Sequence, residues 1–205
     1  MAANDNVSSQ PMNLSARTVL LCGVGGQGTI TAADLLARAA AAAGFDVKVS
    51  EIHGMAQRGG AVTTVVRFGE QVNTMVADLG EVDAIVSFET MEALRNVSFL
   101  KLDGFLLVAD ESIKPLPVAC GNASMPDDIS GQLAACNADV IPAIELANRA
   151  GNVRTENVVL LGALESRLNF GKDVWVEVIR GRVPQKTIDA NIKAFELGFS
   201  SVSAL

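Results

Sequence analysis

Thr18-Val-Leu-Leu-Cys-Gly-Val-Gly-Gly-Gln-Gly-Thr-Ile-Thr31 decides the fold. The apolar run Val19 to Cys22 has the character of a strand buried on both faces. Gly23, Gly25 and Gly28 then satisfy the spacing G-x-G-x-x-G, with Gly26 and Gln27 inside it. An alanine-rich helical pattern from Thr29 to Ala43 follows at once and stops at Gly44. The spacing alone is a weak signal, but a strand before it and a helix after it predict a Rossmann-like βα turn. Such a turn offers backbone N–H groups and the positive end of a helix dipole to an anion. The same glycines also serve plain helix–sheet packing, so the turn by itself does not establish nucleotide binding.

Outward from this corner, Phe45 to Ile52 predicts a second strand. His53-Gly-Met-Ala-Gln-Arg-Gly-Gly60 is too glycine-rich for a regular element and predicts a loop. If the first two strands are parallel, that loop and the glycine turn face one crevice, at the edge where open α/β sheets bind ligands. Ala61 to Phe68 predicts a third strand, with a hairpin at Gly69-Glu70 leading into Val72 to Met75. Further strands are expected at Glu81–Glu89, Gly104–Ala109 and Asp139–Ile141, and helices at Thr90–Asn96 and Asp127–Cys136. Ile113 to Val118, carrying Pro115 and Pro117, predicts an extended edge or loop. From Pro142 the chain turns helical: Pro142–Arg149, the very apolar Thr155–Asn169, Val174–Arg180, and a last helix opened by Pro184. In that last helix Ile188, Ile192, Phe195 and Phe199 form one stripe, read as core. The fold class expected is α/β, a Rossmann-like three-layer sandwich with a mostly parallel sheet. Residues 1–16 read as a poorly ordered start, 17–141 as the Rossmann-like core and 142–199 as a helical segment.

Composition narrows the function classes. The 205 residues carry a net charge of −7, with 19% charged and 49% apolar residues. No basic cluster or aromatic stacking set points to nucleic acid, and no apolar run approaches the ~20 residues that span a bilayer. Cys22, Cys120 and Cys136 lack C-x-x-C spacing, which excludes a zinc or iron–sulfur site of their own and reads as buried free thiols. The polar N-terminus has no apolar signal-peptide core, so the protein is expected in the cytoplasm. The apolar surplus has two readings, an Ala/Val-rich core or a subunit that covers part of its surface with a partner.

Few residues can carry chemistry. His53 is the single histidine, able in principle to act as a base or to hold phosphate. Arg58, between Gln57 and Gly59-Gly60, would present a fixed guanidinium beside bare backbone, suited to a carboxylate, a phosphate or an interface ion pair. Glu51 lies about twenty residues beyond Gly28, where a dinucleotide fold places its ribose acid. Asp83 and Glu89 flank a strand without a partner for acid–base work. No G-x-S-x-G, H-E-x-x-H, P-loop lysine or thiamine–magnesium motif is present. No residue of this chain is assigned as catalytic with certainty, and the pattern is that of a binding or partner module.

Gly23-Val-Gly-Gly-Gln-Gly28 followed by Val49-Ser-Glu-Ile-His-Gly-Met-Ala-Gln-Arg-Gly-Gly60 resembles the gamma-type subunit of 2-oxoacid:ferredoxin oxidoreductases, the pyruvate, 2-ketoisovalerate and indolepyruvate enzymes. The second motif is more narrowly similar to the beta subunit of the indolepyruvate enzyme. Asp83–Arg95, Asn152–Gly162 and Val183–Gly198 fit the same pattern, so the likeness spans roughly residues 17–199. It implies a complex that oxidatively decarboxylates an aryl 2-oxoacid such as indolepyruvate, reduces ferredoxin and passes the acyl group to coenzyme A. A large alpha partner would carry thiamine diphosphate, magnesium and the 4Fe–4S clusters, and this chain would bind no cofactor firmly. Candidates for contact with coenzyme A are Gly23, Gly25, Gly26, Gln27 and Gly28, with His53, Gly54, Gln57, Arg58, Gly59 and Gly60. The competing reading is a stand-alone NAD(P)-dependent oxidoreductase using the glycine turn and Glu51.

Overall fold

A computed structural model describes residues 16–53 and 60–202. Its strands are β1 (Arg17–Val24), β2 (Asp46–His53), β3 (Ala61–Gly69), β4 (Val82–Ser87), β5 (Leu100–Ala109) and β6 (Asp139–Ile141). They form one sheet in the order β2-β3-β1-β4-β5-β6. Only β3 runs against the rest: it pairs antiparallel with both β1 and β2, while β1, β4, β5 and β6 pair in parallel. β1 and β2 therefore point the same way, as the glycine-turn reading requires, but β3 stands between them.

The helices are α1 (Thr29–Ala42), α2 (Thr90–Asn96), α3 (Leu116–Ala119), α4 (Ile129–Ala135), α5 (Ala143–Ala150), α6 (Glu156–Leu168), α7 (Lys172–Arg182) and α8 (Ile188–Val202). They make an α/β three-layer arrangement with unequal faces. One face of the sheet packs on α1 and the four C-terminal helices around Leu21, Leu36, Val86, Leu161 and Trp175. The other packs on α2 and α4 around Leu20, Ile85, Leu106 and Leu133. β1 and β4 are buried on both sides because both layers cover them, which is why their sequences read as unbroken apolar runs.

Three expectations fail, each for a local reason. Val72 to Met75 is not a strand. Both edges of β3 are already taken by β1 and β2, so the chain after Gly69 finds no ladder to join, and Val72 N–H donates instead to Asp46 Oδ2 at 2.8 Å. Pro115 and Pro117 do not hold an extended edge. Pro115 caps the single turn α3 and Pro117 falls in its first turn, where the missing N–H costs nothing. Of the three cysteines only Cys22 is buried, where desolvation pushes its thiol up to about 12; Cys136 is half-buried and Cys120 exposed.

The last helix is core, as read, but its buried face is centred elsewhere. Asn191, Ala194, Phe195, Gly198 and Val202 face inward, while Ile188, Ile192 and Phe199 are half-buried. Small residues turn it: a Cβ on Gly198 would collide with the Val159 carbonyl, and one on Gly162 with the Phe195 carbonyl. α6 and α8 thus cross backbone against backbone.

Candidate functional site

The glycine turn is stapled by its own glutamine. Gln27 Oε1 accepts the Val24 N–H and its Nε2 donates to the Phe88 carbonyl, both at 2.8 Å. This ties the end of β1 to the end of β4. Gly23 makes room for the staple, since a Cβ there would lie 2.8 Å from both Gln27 Oε1 and Phe88 Cβ. Gly28 is the N-cap of α1 at φ +84°, in the left-handed region, and a Cβ on it would meet Asn157 Nδ2 at 2.9 Å. No side chain caps α1, so its first turn directs N–H groups outward. Gly25 N–H donates to the Gly60 carbonyl at 2.9 Å, which brings the end of the second glycine motif against the first.

In front of this turn lies a cleft of about 990 Å³. Gly26, Gln27, Gly28 and Thr31 form one wall. The other comes from the C-terminal segment: Asn152 to Val158, Val183, Pro184, Lys186, Thr187 and Asn191. Its size is at the upper end of small-molecule sites, about 300–1,000 Å³. Asn157, buried, joins the walls: its Nδ2 makes a long 3.4 Å hydrogen bond to the Gly28 carbonyl. Arg154 and Lys186 put two cations on the C-terminal wall, and Glu156 one carboxyl, whose pKa is raised by burial and then by Glu111 nearby. An uncapped helix start faced by an arginine and a lysine is chemistry for a phosphorylated ligand.

The residues singled out from sequence fall into three groups. Gly26, Gln27 and Gly28 line the cleft, and Gly23 and Gly25 shape it from behind. Gly60 abuts the turn, and His53 ends β2 opposite Val62. Gly54, Gln57, Arg58 and Gly59, like residues 1–15 of the N-terminal stretch read as poorly ordered, lie outside the described residues. Asp83 and Glu89 have structural work. Asp83 accepts the Thr18 N–H and the Lys101 ammonium, and Glu89 caps α2 through the Met91 and Glu92 N–H groups. Arg154, Asn157 and Lys186 carry no individual motif; their only sequence signal is that they sit in Asn152–Gly162 and Val183–Gly198.

The ribose-acid reading of Glu51 does not survive the strand order. With β3 between β1 and β2, Glu51 sits two inter-strand spacings from the glycine strand, roughly 10 Å. A dinucleotide fold needs its second strand beside the first.

The fold and cleft define an α/β protein that presents a glycine-lined corner at the edge of a mostly parallel sheet. The chain belongs to the pyruvate ferredoxin/flavodoxin oxidoreductase family, which matches residues 18–201. It is 42% identical over 199 residues to the indolepyruvate oxidoreductase subunit IorB of Thermococcus kodakarensis, covering 91% of this chain and 96% of that protein. The IorB subunit of Pyrococcus horikoshii is 41% identical over the same shares. Among solved structures, the gamma subunit of a keto/oxoacid ferredoxin oxidoreductase from Geobacter sulfurreducens superposes with a TM-score of 0.69 at 24% identity, over 92% of this chain and 99% of that one. A 2-oxoglutarate:ferredoxin oxidoreductase from Magnetococcus marinus, solved with 2-oxoglutarate, coenzyme A and succinyl-CoA, gives 0.71 at 23% identity, over 93% of this chain and 31% of that one. The chain is thus an IorB-like small subunit of a 2-oxoacid:ferredoxin oxidoreductase, and the NAD(P) alternative finds no support.

Proposed function

We propose that the chain works beside a large subunit in the oxidative decarboxylation of an aryl 2-oxoacid such as indolepyruvate, with ferredoxin as electron acceptor and coenzyme A as acyl acceptor. The large subunit supplies thiamine diphosphate, magnesium and 4Fe–4S clusters. This chain holds the coenzyme A phosphates in the cleft, against the N-terminus of α1 and the cations of Arg154 and Lys186. The names of the IorB relatives support the substrate class, and the coenzyme A in the Magnetococcus enzyme supports the acyl acceptor. The observation that carries the assignment to this cleft is its facing walls, uncapped helix start on one and Arg154 and Lys186 on the other.

The test is reconstitution with the large subunit. The chain alone is inactive, and the complex reduces ferredoxin in the presence of indolepyruvate and coenzyme A. Replacing both Arg154 and Lys186 by Ala raises the KM for coenzyme A about tenfold or more, the scale of one lost charge-assisted contact, and leaves the KM for the 2-oxoacid unchanged. An unchanged KM for coenzyme A in that variant removes the cleft assignment, and a complex indifferent to coenzyme A removes the acyl-transfer reading.

A further inference from the structure

The connector between β3 and β4, residues 70–81, lies at the opposite end of the sheet from the cleft. It has no regular secondary structure, yet it is held at several points. Val72 is buried and its N–H is fixed by Asp46 Oδ2 at 2.8 Å. The Val76 carbonyl accepts from Arg67 Nη1 at 3.4 Å. Ala77 packs on the smaller core cluster, and Gly80 N–H donates to the Ser98 carbonyl at 3.0 Å. On this fixed backbone Met75, Val76 and Leu79 turn outward, at 46%, 62% and 68% exposure. Single exposed apolar side chains are ordinary, but three within five residues on an anchored segment make a ridge.

The ridge is bordered by Glu70, Asp78 and Glu81, all exposed, and no lysine or arginine occurs between Phe68 and Leu94. Of the cations on the flanking strands, Arg67 reaches the Val76 carbonyl and Lys101 pairs with Asp83, while Lys48, opposite Arg67 in register, stands on β2 outside the connector. This charge pattern selects the occupant. A second copy, docked by a two-fold axis, would bring the same acidic border against itself. An anionic membrane surface would be repelled by it. A different protein with an apolar recess rimmed by Lys and Arg is matched in both respects.

We infer that the ridge Met75–Val76–Leu79 docks this subunit onto such a basic-rimmed apolar recess of the large subunit. The inference rests on the reading of the chain as the small partner in a two-subunit enzyme. Docking at this end leaves the cleft, at the other end of β1, open to its ligand.

The experiment measures association of the purified chain with the large subunit by titration calorimetry and size-exclusion chromatography. The variants are V76S/L79S and D78K/E81K, with circular dichroism melts as the folding control; these side chains are exposed, so the melts stay in place. V76S/L79S is expected to weaken association about tenfold or more. D78K/E81K is expected to weaken it also and to flatten its dependence on ionic strength. A wild-type complex whose affinity neither variant changes overturns the ridge alone. Failure of the wild-type chain to associate overturns the two-subunit reading and the ridge with it. A dimer of this chain that V76S/L79S dissociates overturns the inference in favour of self-association.

Discussion

Trp175 Nε1 donates to Glu165 Oε2 at 2.7 Å, between two fully covered side chains. The same carboxylate accepts the Phe170 N–H at 3.2 Å and the Gly171 N–H at 2.7 Å, so it closes the turn that leads from α6 into α7. A buried carboxylate of this kind is tolerated because donors fill its lone pairs. Glu165→Leu strands three donors in an apolar setting and is expected to cost about 3–4 kcal/mol. Trp175→Phe removes one donor of three, and its cost is expected near 1–2 kcal/mol. Urea denaturation followed by circular dichroism measures both. Trp175 is the one tryptophan, so its fluorescence in Glu165→Leu also reports whether water enters the site.

The α6–α8 crossing makes a second, sharper claim about glycine. Alanine is the better helix former by about 1 kcal/mol, so propensity alone predicts that Gly162→Ala and Gly198→Ala stabilise. Here the new methyl meets the backbone of the facing helix, which cannot rotate aside. Overpacking of about 1–3 kcal/mol or more wins, and both variants are expected to melt lower. Gly181→Ala is the control. It lies in α7 with nothing within 4 Å of its Cβ position, and a gain of about 0.5 kcal/mol is expected there.

Local order in this chain is legible where one principle acts alone. The buried strands β1 and β4, the helix after the glycine turn, and its stop at Gly44 follow from apolar runs, small residues and a left-handed glycine. Strand order is not local. Nothing between Ala61 and Gly69 says that this strand inserts between β1 and β2, because alternation reports faces and not neighbours. The cleft shows the same division. Its glycine wall is a motif, whereas Arg154, Asn157 and Lys186 meet it only after the chain has crossed the sheet and returned. Glu165 was hidden for a related reason: a lone acid at the end of an apolar helix looks solvated until the next helix brings its donors.

Glu156 gives the cleft a pH dependence of definite sign. Burial first, then the charge of Glu111, raises its pKa above the ordinary 4.5. A carboxyl with a raised folded pKa contributes stability while protonated, below its unfolded value. That contribution is lost as pH rises through the folded pKa. Glu156→Gln keeps the shape and drops the charge. The variant is expected to be more stable than wild type at pH 7, with the gain vanishing as pH falls below about 4. It also removes a like charge facing an anionic ligand, so the KM for coenzyme A in the reconstituted complex is expected to fall. Thermal melts across pH 3.5 to 7.5 check the first expectation, and steady-state kinetics the second.

Gln27 is the residue on which the glycine corner's shape depends, and its two hydrogen bonds can be separated. Gln27→Ala leaves the Val24 N–H and the Phe88 carbonyl without their shared partner, a cost of about 1–3 kcal/mol. Gln27→Glu is nearly isosteric and still accepts from Val24, but at neutral pH a carboxylate oxygen then faces the Phe88 carbonyl where an amide donated. Its destabilisation at pH 7 should equal or exceed that of the alanine. On acidification the substituted carboxyl gains a proton and can donate to Phe88 again, so Gln27→Glu alone should recover stability relative to wild type as pH falls. Parallel urea titrations at pH 4.5 and pH 7 on the three proteins test this. Equal losses at both values would mean that the side chain fills space and does not staple β1 to β4, and the cleft wall formed by Gly26 and Gly28 would have to be held by Asn157 instead.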